Sequence, residues 1–556
     1  MLTLGAGMKA VPVRALEQLR TVVDARSSAV MLTLTVLALG YWLWFGLVWR
    51  SFHFDDGTSI LVIQGIMEHG SPILPSGFYY YRGLAPNYLG AATALVFGLN
   101  NFAMVLPSLL MGIGSLWLVY LFARDALKQP WVGVAAAALL LALQFQTSLS
   151  TSPRMYMAME FFAILAVYGA WRGYIRGEAR YRWLTFLALW GAVLSNDQSG
   201  ALLVAVPLAV MVTRWSQGEG KPRINYLLPL AGLALLFSVH YLIYLHGLPA
   251  TLPPIAAHSG LQTTERIGLN LDPVNWLGHF LALERLVPLS ALLSPLIVLQ
   301  FFKSFKDRHL EANQGLVYAF LIFAVSGLIT MLVVRTLAPR FWVLALPLYA
   351  TLICASLVYA ASWFRGQGTR WRLSSGAGSG AVNASSALIP GMLIGSIAAI
   401  LAVLFLALGP DRYLALVKEG YGVPCSQGSC SRAIKWQYSE LRRVIREDDV
   451  IVSTNPLITS YYLGRVDGWF RERIVPTGFS SFESPIDEYF GIQLIDTGEE
   501  LSRLRDGDQR VWVIIDYKAD TFSSPESLAL IESSYTRYRE VGPMAVYVNS
   551  SKVGGL

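Results

Sequence analysis

Long apolar runs separated by short basic loops decide what this chain can fold into. From about residue 30 to residue 410, stretches of Leu, Ala, Val and Phe alternate with brief segments carrying Lys and Arg. A helix that crosses a bilayer needs about 20 mostly apolar residues. About eleven stretches fit, near 30–49, 101–123, 131–149, 155–171, 182–196, 199–213, 225–245, 286–302, 316–334, 341–363 and 387–408. Only 14% of residues are charged and 54% are hydrophobic, whereas soluble domains carry about a quarter charged. The chain therefore needs lipid as its solvent. After residue 410 the pattern turns into that of a soluble domain.

The loops set the orientation, because Lys and Arg concentrate on the cytoplasmic side. One set of loops holds Lys9, Arg14, Arg20 and Arg26; Arg124 and Lys128; Arg172, Arg176, Arg180 and Arg182; Arg214, Lys221 and Arg223; Lys303, Lys306 and Arg308; Arg365, Arg370 and Arg372. The alternate set holds only Arg50, Arg82, Arg154, Arg266, Arg335 and Arg340. This bias predicts an odd number of spans, a cytoplasmic N-terminus and an outer domain at 410–556. The same placement explains the net charge of +7 and excludes a nucleic-acid partner, since no basic stripe interleaves with exposed aromatics. The first apolar run lacks a small-residue cleavage pattern and reads as a retained helix.

Two outer loops are long. In the first, 50–100, segments 59–68 and 87–98 are too short to span and are expected in the interface. The second runs from 247 to about 285. Segment 364–386 is Gly/Ser-rich and reads as a cytoplasmic linker, where the sequon at Asn383 faces inside. Domain 410–556 is expected to be a small α/β unit, with strands at 450–454, 511–516 and 545–549 and helices at 431–446 and 525–536. Cys354 reads as a buried small hydrophobe. Cys425 and Cys430 suit a disulfide if their segment lies outside.

Residues with chemical potential gather on the outer side. Asp55 and Asp56 are adjacent carboxylates in SFHFDDGTS. One reading makes one of them a general base toward an acceptor hydroxyl and the other an orienting group or a ligand for a divalent cation. The other reading is a solvated turn or a helix cap. Arg154 suits a phosphate or a lipid headgroup. Tyr156 and Glu160 lie one helical turn apart on one face. Glu160 is an intramembrane carboxylate, read either as a site group or as a contact between helices. Arg335 and Arg340 are rare outer cations, for which an anionic partner or headgroup anchoring accounts equally. His53, Arg82, Asn87 and Tyr79 to Tyr81 share the first loop, where aromatic and amide groups suit a sugar. His258 and His279 show no metal-ligand spacing, and no metal site is assigned.

The order of these features resembles the GT-C glycosyltransferases, in the branch of protein O-mannosyltransferases and bacterial aminoarabinose transferases. The resemblance rests on the acidic pair in the first outer loop, on FGLNNFAMVLPSLLMGIGSLWLVYLFARDAL, on RMYMAMEFF and on RFWVLALP, and covers most of 30–350. The arginine that relatives carry before Leu106-Pro107-Ser108 is replaced here, with Val105 beside Met104. The resemblance implies a polytopic helical membrane enzyme: a transferase domain at 1–409 and a C-terminal domain outside a bacterial cell membrane. It implies a sugar donor on polyprenyl phosphate and a lipid, glycan or protein acceptor. It makes Asp55 the base, with Asp56 where relatives often have Glu. Arg340 matches the family's late arginine and is the first candidate for the donor phosphate, with Arg154 and Arg82 beside it. His53, Tyr81, Asn87, Tyr156 and Glu160 are left as substrate-binding candidates. Many relatives carry Asp where this chain has Tyr156, which weakens the case for a divalent cation.

Three rival readings use the same features. A transporter or flippase of lipid-linked sugars would show internal repeats and broken midplane helices, and no repeat is present. A non-catalytic scaffold would not need carboxylates and guanidiniums on one side. An oligosaccharyltransferase would carry a WWD-type signature, to which the nearest strings are DGWF at 467–470 and KWQY at 435–438.

Overall fold

The computed structural model describes residues 13–52, 54–218, 270–276, 290–307, 310–334, 339–374, 432–472, 489–517, 523–541 and 544–549, with a few further positions between them. Most of the expected span at 225–245 and all of that at 387–408 lie outside these residues, as do most of the second long loop at 247–285, His53, His258, Arg335, Cys425 and Cys430.

The bundle begins with α1 (Val13–Trp44), which ends in a wide turn, Phe45–Trp49. Then come α2 (Phe54–His69), α3 (Leu84–Phe97) and α4 (Asn101–Ala126). Next are α5 (Pro130–Ala142), α6 (Gln144–Ser150), α7 (Met155–Ala170), α8 (Ala179–Ser195) and α9 (Gly200–Ser216). The last three are α10 (Ser290–Lys306), α11 (Glu311–Val333) and α12 (Leu346–Ser374).

Among the described residues four helical segments are long and apolar enough to cross a bilayer: Thr21–Val48, Asn101–Ala126, Asp197–Ser216 and Glu311–Val333. A fifth arises if α5 and α6 count as one span, bent by 78°. The expected count of eleven is thus not reproduced. The runs at 155–171 and 182–196 form α-helices of 16 and 17 residues, the first continued by the π-helical turn Trp171–Ile175. The bend in the expected 131–149 span has a sequence reason, since Gln144–Ser150 is a polar run. Its side chains need partners away from lipid.

Two other expectations are corrected. Segment 59–68 belongs to α2, which starts earlier and is not an interfacial helix. Residues on every side of it are buried, including Ile60, Leu61, Val62, Ile63 and Ile66. A helix apolar all round belongs in a core. The expected linker at 364–386 begins as helix, because α12 continues to Ser374.

The C-terminal region contains α13 (Arg432–Val444), β1 (Val450–Ser453), α14 (Pro456–Leu463), β2 (Gly468–Phe470) and β3 (Leu494–Ile495). It continues with α15 (Gly498–Asp506), β4 (Val511–Ile515), α16 (Pro525–Ser534), β5 (Thr536–Val541) and β6 (Met544–Val548). The strands form one sheet in the order β3-β2-β1-β4-β6-β5. The four strands from β3 to β4 are parallel, and β6 and β5 add an antiparallel hairpin.

This sheet and the bundle share one apolar core. Phe52, Phe54 and Ile60 belong to the same buried cluster as Leu457, Ile458 and Trp469. The opposite face of the sheet has its own cluster around Val452, Val513 and Ile531. Lys435 on α13 donates to the Leu47 carbonyl at 3.1 Å, in the turn that follows α1. Burial, reinforced by the nearby Arg50, pushes its ammonium down to about 8.

Two predictions follow from this junction. A Cβ on Gly57 would stand 2.8 Å from the Leu457 Cβ, so Gly57→Ala should destabilise by about 1–3 kcal/mol. Gly40, where a Cβ meets nothing within 4 Å, should accept Ala with no loss of stability. Thermal melts of the detergent-purified variants compare the two. Lys435 binds its proton more weakly in the fold than its ordinary value near 10.4, so the unfolded state holds more protons between about 8 and 10. Stability should rise with pH across that window. The rise should flatten in Lys435→Met, as read from melts at pH 8, 9 and 10.

Candidate active site

The site is built at the start of α2, where the chain leaves α1 and turns back toward the bundle. Arg50 ends that turn, its amide donating to the Phe45 carbonyl at 2.8 Å. Its guanidinium points inward. One nitrogen donates to the Ser148 carbonyl at 2.5 Å and to Thr151 Oγ1 at 3.2 Å, and the other donates to Asp56 Oδ2 at 2.9 Å. Ser152 Oγ donates to the second Asp56 oxygen. The Ser152 carbonyl in turn accepts from Ser108 Oγ at 2.5 Å. Arg50 is 3% exposed and Asp56 0%. The bent α5–α6 pair makes this possible, since α6 delivers Ser148 and leads directly into Thr151 and Ser152.

Asp55 points elsewhere. Consecutive helical residues diverge by about 100°, so burying Asp56 turns Asp55 outward. Asp55 is 38% exposed and pairs with Arg154 at 2.9 Å. Arg154 caps the start of α7 with extended backbone, and its guanidinium lies 4.8 Å from the centre of the Tyr156 ring. Tyr156 is buried and supports that guanidinium from below. Tyr80 completes the cluster. Burial pushes its hydroxyl above the ordinary tyrosine range, and Arg82, Asp55, Arg154 and Tyr156 all act on it electrostatically. Tyr80 and Tyr81 stack at 6.4 Å, and Arg82 lies 6.0 Å from the Tyr81 ring.

The structure therefore brings together Asp55, Arg154, Tyr156, Tyr80, Tyr81 and Arg82. It gives three other candidates different settings. Asp56 is locked by Arg50 and Ser152, which removes it from a second-base or cation-ligand role. Asn87 is buried on α3, and its side-chain amide donates to the Arg82 carbonyl at 3.0 Å. It shapes the loop that carries Arg82 instead of facing a sugar. Glu160 is fully buried among α4, α6 and α7, where Gln146 Nε2 donates to it at 2.8 Å. It lies one turn deeper than Tyr156 on α7.

Arg340 sits in the short turn Pro339–Trp342 at the head of α12, half-buried. Trp342 anchors that turn: it is buried, donates from Nε1 to the His279 carbonyl at 2.8 Å, and packs on Phe323. His279 also bonds the Val334 carbonyl at 2.8 Å, which ties it to backbone. Among the described residues no group of three or more His, Cys, Asp or Glu side chains could hold a metal ion.

Three contributors escaped sequence reading. Arg50 carried one signal, as a lone outer cation six residues before Asp56. Ser152 and Tyr517 carried none. Tyr517 accepts from the Phe54 amide at 2.9 Å across 463 residues of chain.

Comparison with known proteins gives the following. The family model described as dolichyl-phosphate-mannose-protein mannosyltransferase matches residues 82–244. The structure of ArnT from Cupriavidus metallidurans bound to undecaprenyl phosphate aligns with TM-score 0.58 and 13% identity, covering 96% of this chain and 99% of that one. The same protein in the apo state aligns with TM-score 0.57 and 14% identity over the same shares. The Archaeoglobus fulgidus oligosaccharyltransferase in the apo form aligns with TM-score 0.49 and 14% identity, over 94% of this chain and 75% of that one. No curated protein sequence matches. A mannosyltransferase family model thus matches residues 82–244, and nearly the whole chain shares the fold of ArnT.

Proposed function

We propose that this membrane-embedded protein moves a sugar from a polyprenyl-phosphate carrier to an acceptor hydroxyl, inverting the sugar's anomeric configuration. The observation that carries this reading is the Asp55–Arg154 pair, half-open and set against a buried framework. The ArnT structure that shares this fold holds undecaprenyl phosphate, a ligand whose headgroup calls for guanidinium partners.

The chemistry needs one base and one cationic clamp. The acceptor oxygen attacks the anomeric carbon and gives its proton to Asp55. The bond from that carbon to the phosphate oxygen breaks, and its electron pair leaves with the phosphate. Arg154 and Arg82 neutralise the charge that develops there, with Arg340 as the third candidate. A base on the face opposite the leaving group gives inversion, as in inverting glycosidases.

The pairing of Asp55 with Arg154 adds an order to these events. A carboxylate held by a guanidinium is a weaker base. A donor phosphate competes for the same guanidinium, and its arrival loosens the grip on Asp55. The base is thus released once the donor is in place, which protects against idle proton transfer. We place this site on the outer face of a bacterial cell membrane, with the N-terminus inside, on the basis of the loop charges. The acceptor class is a lipid, a glycan or a protein.

The two neighbouring carboxylates then have separable roles. Asp55→Asn should fold normally and lower transfer by at least about 100-fold, the scale of a lost general base. The assay compares envelope lipids and glycans by mass spectrometry, in cells lacking the gene and complemented with either form. Product at the wild-type level with Asp55→Asn would remove Asp55 as base. By contrast, Arg50→Ala and Asp56→Ala each strand a buried charge and should cost about 3–5 kcal/mol of stability. Thermal melts in detergent should show this loss for both, and none of comparable size for Asp55→Asn.

A further inference from the structure

In the C-terminal sheet the chain passes from β1 to β2 on one side and later returns to β4 on the other. Open parallel sheets form a crevice outside the carboxyl ends of the strands at such a reversal, and ligands commonly bind there. Here Thr454 and Asn455 follow β1, and Asp516 and Tyr517 follow β4. Asp516 ties the two ends together. Asn455 Nδ2 donates to its Oδ2 at 2.6 Å, Thr454 Oγ1 donates to its Oδ1 at 3.2 Å, and its own amide donates to Thr454 Oγ1 at 2.9 Å. This network fixes the backbone that carries Tyr517.

Against this crevice lies the first turn of α2. The Phe54 amide donates to the Tyr517 hydroxyl at 2.9 Å. The Phe54 ring packs 6.0 Å from Trp469 and 6.4 Å from Tyr489. Gly57 fits against Leu457 at the start of α14. The Phe52 amide reaches the Tyr462 hydroxyl at 3.5 Å. The first amides of a helix have no acceptor within it. The outer domain supplies that acceptor from a buried position. Burial also keeps the Tyr517 hydroxyl protonated, by pushing it well above the ordinary tyrosine range.

We propose that Tyr517 is a positioning residue for the transferase site, and that the outer domain uses its strand-end crevice to hold the helix start that carries Asp55. The idea rests on the reading of Asp55 as base. Asp55 stands one residue after the amide that Tyr517 caps and one residue before the carboxylate that Arg50 holds. The base is therefore located by two anchors, one from the bundle and one from the outer domain. Tyr517 itself touches no substrate, and its effect runs through the backbone of α2.

The test uses the full-length protein and the variant Tyr517→Phe, which keeps the ring and removes the acceptor. Product formation in membranes should fall about ten-fold, the scale of one lost hydrogen bond at its upper range. Binding of undecaprenyl phosphate, measured by native mass spectrometry, should stay within about two-fold, and the melting temperature should hold to within a few degrees. Hydrogen exchange should accelerate at amides 54–58 and stay unchanged in β1 and β4. Wild-type product formation by Tyr517→Phe would overturn the proposal while leaving Asp55 intact as base. Parallel loss of undecaprenyl phosphate binding and thermal stability would also overturn it, by making Tyr517 merely structural. If Asp55→Asn is fully active in the same membranes, the underlying reading fails instead, whatever Tyr517→Phe does.

Discussion

A buried guanidinium–carboxylate pair is costly to assemble, because both ions lose water and only close geometry with further hydrogen bonds repays the loss. Arg50 and Asp56 pair at close range, and the Ser148 carbonyl, Thr151 and Ser152 add further hydrogen bonds to the two groups. The consequence reaches beyond stability. With Asp56 pinned inward, the helix period leaves Asp55 no direction but outward, toward Arg154 and the mouth of the bundle. One carboxylate of the doublet is buried in the frame and the other is partly exposed beside Arg154.

The fold supplies this pair from three separate places. The end of α1 brings Arg50, the first turn of α2 brings the acidic doublet, and the bend between α5 and α6 brings the serine and threonine groups. The same bend gives Gln146 access to Glu160 and Thr147 access to Trp42. A continuous straight span there would point these polar groups into lipid. The C-terminal domain packs against this arrangement, and its core merges with that of the bundle at Phe52, Phe54 and Leu457. The C-terminal sheet is therefore a structural neighbour of the site and not a separate appendage.

Much of this was legible in the sequence, and the misses have identifiable causes. Apolar runs located the helices, and alternation located β1, β4 and β6. Four helices of spanning length stand among the described residues, with a fifth if the bent pair counts as one, and two of the expected spans fall largely or wholly outside those residues. The short strands β2 and β3, of three and two residues, are too brief to leave a period. The Asp55–Asp56 doublet and Arg154 were visible as charges on the sparsely charged side. Their division of labour was not, since it depends on Arg50 and Ser152, and adjacency in sequence says nothing about which carboxylate is buried. Asn87 and Glu160 were legible as polar groups near the site, but their burial was not. Tyr517 is joined to Phe54 only by the folded topology, with no local pattern to announce it.

The central claim is that the Asp55–Arg154 pair is the meeting point of base and donor phosphate. The most direct measurement is an experimental structure of the full-length protein with undecaprenyl phosphate bound. The account predicts a phosphate oxygen about 3 Å from the Arg154 guanidinium, with the Asp55 carboxylate loosened from it and facing the space where an acceptor would approach. A phosphate seated elsewhere, with the Asp55–Arg154 pair undisturbed, would contradict it.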